Sequence, residues 1–72
     1  MHQDLLIHTE AGVTTITFNR VEKKNSLTQA MYATLADTLG QAEADATTRV
    51  VVFQGDPAIF SAGNDIGDFL NA

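Results

Sequence analysis

The 72-residue sequence predicts an α/β fold, on three observations. Two β-branched-rich runs, at 4–9 and 13–19, flank a short link that contains glycine. An apolar period close to that of an α-helix takes over near position 27. A continuous apolar run then follows at 49–54, of the kind carried by parallel strands covered on both faces. Hairpin, long helix and buried parallel strand in that order make a β-α-β crossover, which is expected to be right-handed.

The hairpin comes first. Asp4–Thr9 (DLLIHT) and Val13–Asn19 (VTTITFN) are joined through Glu10, Ala11 and Gly12, and Gly12 can take the positive φ that a short loop needs. In the second run Ile16 and Phe18 share a face, while Val13, Thr15 and Thr17 occupy the other. Residues 19–25 (NRVEKKN) are polar and predict a loop.

The helix is expected over 27–46. Ser26 followed by Gln29 fits a capping box, and Thr28 is an alternative cap. Leu27, Met31, Leu35, Leu39, Ala42 and Ala46 form the apolar stripe, with Met31 and Tyr32 as packing residues. Gly40 interrupts it at a cost of roughly 1 kcal/mol relative to alanine. Arg49–Gln54 (RVVVFQ) then predicts a central strand, 55–64 a loop, and Ile66–Asn71 the start of a short helix. No later layer covers the second face of the strand. The sequence is therefore expected to be the N-terminal portion of one larger domain, spanning 1–72 of it.

Composition narrows the function classes. A hydrophobic share of 44% with 18% charged residues is that of a folded domain. The absence of cysteine excludes disulfides and thiolate metal sites, and no metal-ligand spacing is present. The run Val50–Phe53 is too short to span a bilayer. Met1–Glu10 lacks a basic segment and a cleavage pattern, so a cytoplasmic location is expected. A net charge of −5 argues against nucleic acid or an anionic membrane as partner. Yet three of the four basic residues, Arg20, Lys23 and Lys24, crowd between positions 20 and 24. Either this is a solvated loop of mixed charge, or it meets an anionic ligand.

Three segments carry a family resemblance: ITFNRVEKKNSLTQAMYATL (16–35), RVVVFQG (49–55) and FSAGNDIGDF (60–69). In order and spacing they resemble the crotonase superfamily, the enoyl-CoA hydratase/isomerase proteins. The resemblance implies the first part of a crotonase-like ββα spiral, assembled as trimers or dimers of trimers. It also implies an acyl-CoA thioester as ligand, its carbonyl held by two backbone N–H donors, with coenzyme A entering only as part of the substrate. Asn64 stands where the family supplies the first donor. Lys24 would meet CoA phosphates, Ser26 would approach through its backbone, and Ala62 would contact adenine through its carbonyl. Gly63, Asp65 and Ile66 complete the loop, where small side chains at 61–63 let a ligand reach the main chain. Val21 replaces the family's usual proline, so a less rigid loop is expected, and Ser26 replaces the commoner alanine.

A complete catalytic set is not expected here. The candidates for acid–base work are Asp65, Asp68, Glu22, His2 and His8. Asp65 is expected to cap its own loop and the following helix, and Asp68 to be a solvated first-turn carboxylate. The family's second donor and its acid/base carboxylates fall outside these 72 residues. Asn64-Asp65-Ile66 resembles the enoyl-CoA isomerase branch slightly more than the hydratases. Both reactions stay open, as does a non-catalytic fragment that associates with other chains.

Overall fold

The computed structural model describes residues 3–70. Its elements are β1 (Leu5–Glu10), β2 (Val13–Phe18), a 3-10 turn (Val21–Lys23), α1 (Gln29–Ala44), β3 (Val50–Gln54) and α2 (Ile66–Leu70). His2 and Asn71 lie outside the described residues. The expected hairpin is present: β1 and β2 pair antiparallel, with Leu5 opposite Phe18, Ile7 opposite Ile16 and Glu10 opposite Val13. The link is two residues rather than three. Ala11 (φ 51°) and Gly12 (φ 80°) both adopt the left-handed conformation that a tight type I′ connection requires.

β3 pairs parallel to β2, with Val13 opposite Val50 and Thr17 opposite Gln54. The sheet order is β1-β2-β3, so β2 is the central strand and β3 lies at an edge of the described sheet. That corrects the expected position of β3. Its burial also differs, because α1 covers one face of the sheet and no described element covers the other. Val50 is 49% exposed and Val52 40%, while Val51 packs on the core. Leu5, Ile16, Phe18, Met31 and Leu35 form that core, between α1 and the inner face.

The helix is shorter than its apolar stripe. Thr28, not Ser26, is the N-cap: its Oγ1 accepts from the Met31 N–H at 3.1 Å, and Met31 Sδ accepts in return from the Thr28 N–H at 3.4 Å. The reciprocal partner is therefore a thioether rather than the Gln29 amide. Leu39 stays 42% exposed. At about 100° per residue it stands roughly 80° around the helix from Met31, whereas Thr38 and Ala42 stand within about 20° of it. Spacings of four, repeated, walk off the buried face. Ala46 lies beyond the last turn.

Candidate functional site

Two loops leave the same end of the sheet, from the C-terminal ends of the parallel strands β2 and β3, where open α/β sheets bind ligands. The first runs through the 3-10 turn. Lys24 and Asn25 both take φ 55°, which reverses the chain ahead of α1. The turn closes without proline at position 21, through the bonds from Lys24 N–H to Val21 O and Asn25 N–H to Arg20 O, each 2.8 Å.

Asn25 pins the second loop to the first. Its side chain is fully buried; Oδ1 accepts from the Arg20 N–H at 2.8 Å and Nδ2 donates to Ile59 O at 3.3 Å. Ser61 Oγ donates to Asn25 O at 2.8 Å, and the Ala62 N–H to Lys24 O at 3.0 Å. Leu27 then forms a one-residue parallel bridge with Asn64: its N–H donates to Gly63 O and its carbonyl accepts from the Asp65 N–H, both at 2.8 Å.

That bridge determines where the Asn64 amide points. Gly63 C=O and Asn64 N–H belong to one planar trans peptide and face opposite ways. With the carbonyl held by Leu27, the N–H is turned outward. The amides of Ala62, Gly63 and Asp65 donate to Lys24 O, Ser61 Oγ and Leu27 O respectively. Among the described residues no acceptor meets the Asn64 N–H. Its side chain is engaged elsewhere, Oδ1 accepting from the Tyr32 hydroxyl at 2.5 Å.

Charge is distributed differently from the expectation. Arg20 is not free to meet an anion: its side chain is only 14% exposed, with Nη2 2.9 Å from Asp65 Oδ2 and Nη1 donating to Ser26 O and Oγ. Asp65 caps α2 as expected, Oδ1 accepting from the Asp68 N–H at 3.1 Å. That bond, then the Arg20 guanidinium, hold its carboxyl below the usual aspartate range. Asp68 is not a solvated carboxylate. Its Oδ2 accepts from the Gln29 N–H at 2.8 Å and its carbonyl from Gln29 Nε2 at 3.3 Å, tying α2 to the first turn of α1. Lys24 remains exposed, and no described carboxylate pairs with it.

The other named residues fall as follows. Ser26 donates its N–H to Lys23 O, so both its backbone groups bond internally. Ala62, Gly63 and Ile66 are exposed, Ile66 at 71%. Glu22 sits on the outside of the 3-10 turn. His8 lies on β1 against Glu10 and away from both loops. Tyr32 is more than packing, since it bonds Asn64 and stacks edge-on against Phe69 at 6.1 Å. Among the described residues no cluster of acidic or histidine side chains could hold a metal ion. A groove of about 450 Å³ between β1 and α1, lined by Leu5, Ile7, Met31 and their neighbours, includes none of the loop residues. Asn25 is the contributor that sequence reasoning missed, and the Asn-Arg…Asn spacing was the available signal; Arg20 and Tyr32 stand out in the sequence, but as a ligand-facing cation and a packing residue.

The two-loop arrangement has known counterparts. The family model for enoyl-CoA hydratase/isomerase matches residues 8–72. The chain belongs to the enoyl-CoA hydratase/isomerase family. It is 43% identical over 68 residues to the 1,2-epoxyphenylacetyl-CoA isomerase of Escherichia coli strain K12, covering 94% of this chain and 26% of that protein. It is 41% identical to the rat enoyl-CoA delta isomerase 2, covering 94% of this chain and 17% of the relative. Among solved structures, Pseudomonas aeruginosa OdaA superposes with a TM-score of 0.89 at 43% identity, over 96% of this chain and 28% of that one. An enoyl-CoA hydratase/isomerase from Pseudoalteromonas atlantica gives 0.91 at 37% identity, over 97% and 28%. The chain thus spans between 17% and 28% of these relatives, and it carries the N-terminal portion of their crotonase fold. No described helix is long and apolar enough to cross a membrane; one related delta isomerase, from mouse, is named peroxisomal.

Proposed function

We propose that this chain forms the CoA-binding loops and the first oxyanion donor of an enzyme acting on an acyl-CoA thioester. The Asn64 N–H holds the thioester carbonyl oxygen as it gains negative charge. One observation carries this reading: of four consecutive amides, that of Asn64 alone has no acceptor among the described residues, and the Leu27 bridge fixes it outward. A donor held in place before reaction costs nothing to reorganise, and removing one such donor commonly costs roughly 3–4 kcal/mol in the barrier.

Lys24 supplies the positive charge for CoA phosphates, since Arg20 is neutralised by Asp65. Ala62, Gly63 and Ile66 give the ligand an open approach, while Asp65 and Ser26 hold the loops in place. Hydrating a 2-enoyl thioester and shifting its double bond both pass through an enolate-like oxyanion. The rat relative's name, an enoyl-CoA delta isomerase, favours the shift. Asp65 and Asp68 are both committed to backbone amides. The acid and base come, in this reading, from residues outside these 72, as the family resemblance implies. Assembly as trimers or dimers of trimers and action in the cytoplasm belong to the same reading.

The test compares two probes, butyryl-CoA and S-butyl-CoA, which differ in the thioester carbonyl. One hydrogen bond to that oxygen predicts about fivefold tighter binding of the thioester. Equal affinities, measured by calorimetry, would remove the oxyanion role.

A further inference from the structure

Asparagine is an awkward residue to place at an amide that must stay open. Its side-chain oxygen readily accepts from its own or a neighbouring backbone N–H. At Asn64 that competitor sits on the same residue as the unoccupied donor. The structure shows what holds it off: the Tyr32 hydroxyl, one turn into α1, donates to Asn64 Oδ1 at 2.5 Å. The Tyr32 ring is itself steadied edge-on by Phe69 of α2 at 6.1 Å.

We infer that Tyr32 is a positioning residue which keeps the Asn64 carboxamide turned away, so that the Asn64 N–H stays open to a ligand oxygen. This rests on the oxyanion reading for its consequence, though not for its geometry. Leu27 fixes the two peptide planes on either side of Asn64. Those bonds leave the Asn64 side-chain torsions free, and Tyr32 is the described partner that restrains them. The hydroxyl therefore acts through the asparagine and never on the thioester itself.

A purely structural role and this one predict opposite results in a double mutant. Tyr32→Phe keeps the ring against Phe69 and frees Oδ1, so the preference for butyryl-CoA over S-butyl-CoA should fall about threefold, with S-butyl-CoA affinity unchanged. Asn64→Ala removes the competitor, so adding Tyr32→Phe to that variant should lower the preference no further. A second readout needs no ligand: the Asn64 amide should exchange with solvent severalfold more slowly in Tyr32→Phe, and the residue 64 amide should return to fast exchange in the double mutant. Unchanged exchange in Tyr32→Phe, or a further threefold loss of preference on adding Tyr32→Phe to Asn64→Ala, overturns the positioning role. Equal wild-type affinity for the two probes, with the exchange changes present, would instead overturn the oxyanion reading and leave the Tyr32 contact standing.

Discussion

Arg20 Nη2 lies 2.9 Å from Asp65 Oδ2, joining two loops that the whole of α1 and β3 separates in sequence. The same guanidinium reaches both oxygens of Ser26, so one largely buried cation organises the turn before α1 and the cap of α2. Removing one partner of such a pair leaves the other poorly solvated, which costs more than losing an exposed ion pair. Arg20→Met should therefore lower the denaturation midpoint well beyond Lys23→Met, a change at an exposed position on the same turn. Equal midpoints for the two variants would show that the pair does no more than a surface contact.

Acid should loosen the same junction. The Asp68 N–H and then Arg20 depress the Asp65 pKa below the ordinary 3.8, so the carboxylate is favoured in the folded state. Its contribution is fully present above the unfolded value and is lost as pH falls through the lower folded value. Asp45 behaves alike, through the Thr47 N–H and the hydroxyls of Thr47 and Thr48. Urea midpoints taken from pH 7 down to pH 2 should show a shallower acid decline in Asp65→Asn than in wild type. An identical decline would mean that Asp65 has the same affinity for protons folded and unfolded.

Gly63 should resist substitution through its backbone. At φ 95° it takes a conformation that L-residues avoid, yet an added Cβ would meet nothing within 4 Å. Gly63→Ala should cost about 1–2 kcal/mol in stability, and D-alanine placed there by chemical synthesis should cost almost nothing. If both alanines destabilised equally, crowding rather than handedness would be the reason. If the oxyanion reading holds, Gly63→Val should also weaken the preference for butyryl-CoA over S-butyl-CoA, by displacing the neighbouring Asn64 amide.

Lys24 separates charge from conformation. Lys24→Ala should weaken binding of a CoA thioester about two- to fivefold, the scale of one exposed charge contact. The defect should shrink as salt rises. Lys24→Gly should weaken binding equally while raising the denaturation midpoint, because φ 55° suits glycine better than lysine. A salt-independent defect would place the ligand's phosphates elsewhere.

The elements were legible because periodicity is a local property. Ile16, Phe18, Met31 and Leu35 could be assigned to the core from spacing alone, and all four are buried. The polar junction was not legible in the same way. Arg20 reads as one of three clustered cations until the fold brings Asp65 beside it, and Asp68 reads as solvated until Gln29 arrives. Spacing identifies a face, but it does not identify which distant polar group will be waiting there. The exposure of Val50 and Val52 was hidden for a related reason: an apolar run reports that both faces suit burial, not that a described element covers each of them.

The hairpin tip carries a consequence for the order of assembly. Gly12 O accepts from the Arg49 N–H at 2.7 Å and from the Val50 N–H at 3.3 Å, and a Cβ on Gly12 would stand 2.9 Å from Thr47 O. The tip is thus a mould into which the return from α1 settles, and it sets which residue of β3 meets Val13. Local pairing across two residues closes early, whereas a parallel strand arriving after a long helix must wait. The register of β3, and through it the point from which the second loop departs toward Leu27, is thus tied to a two-residue turn at the far end of the sheet.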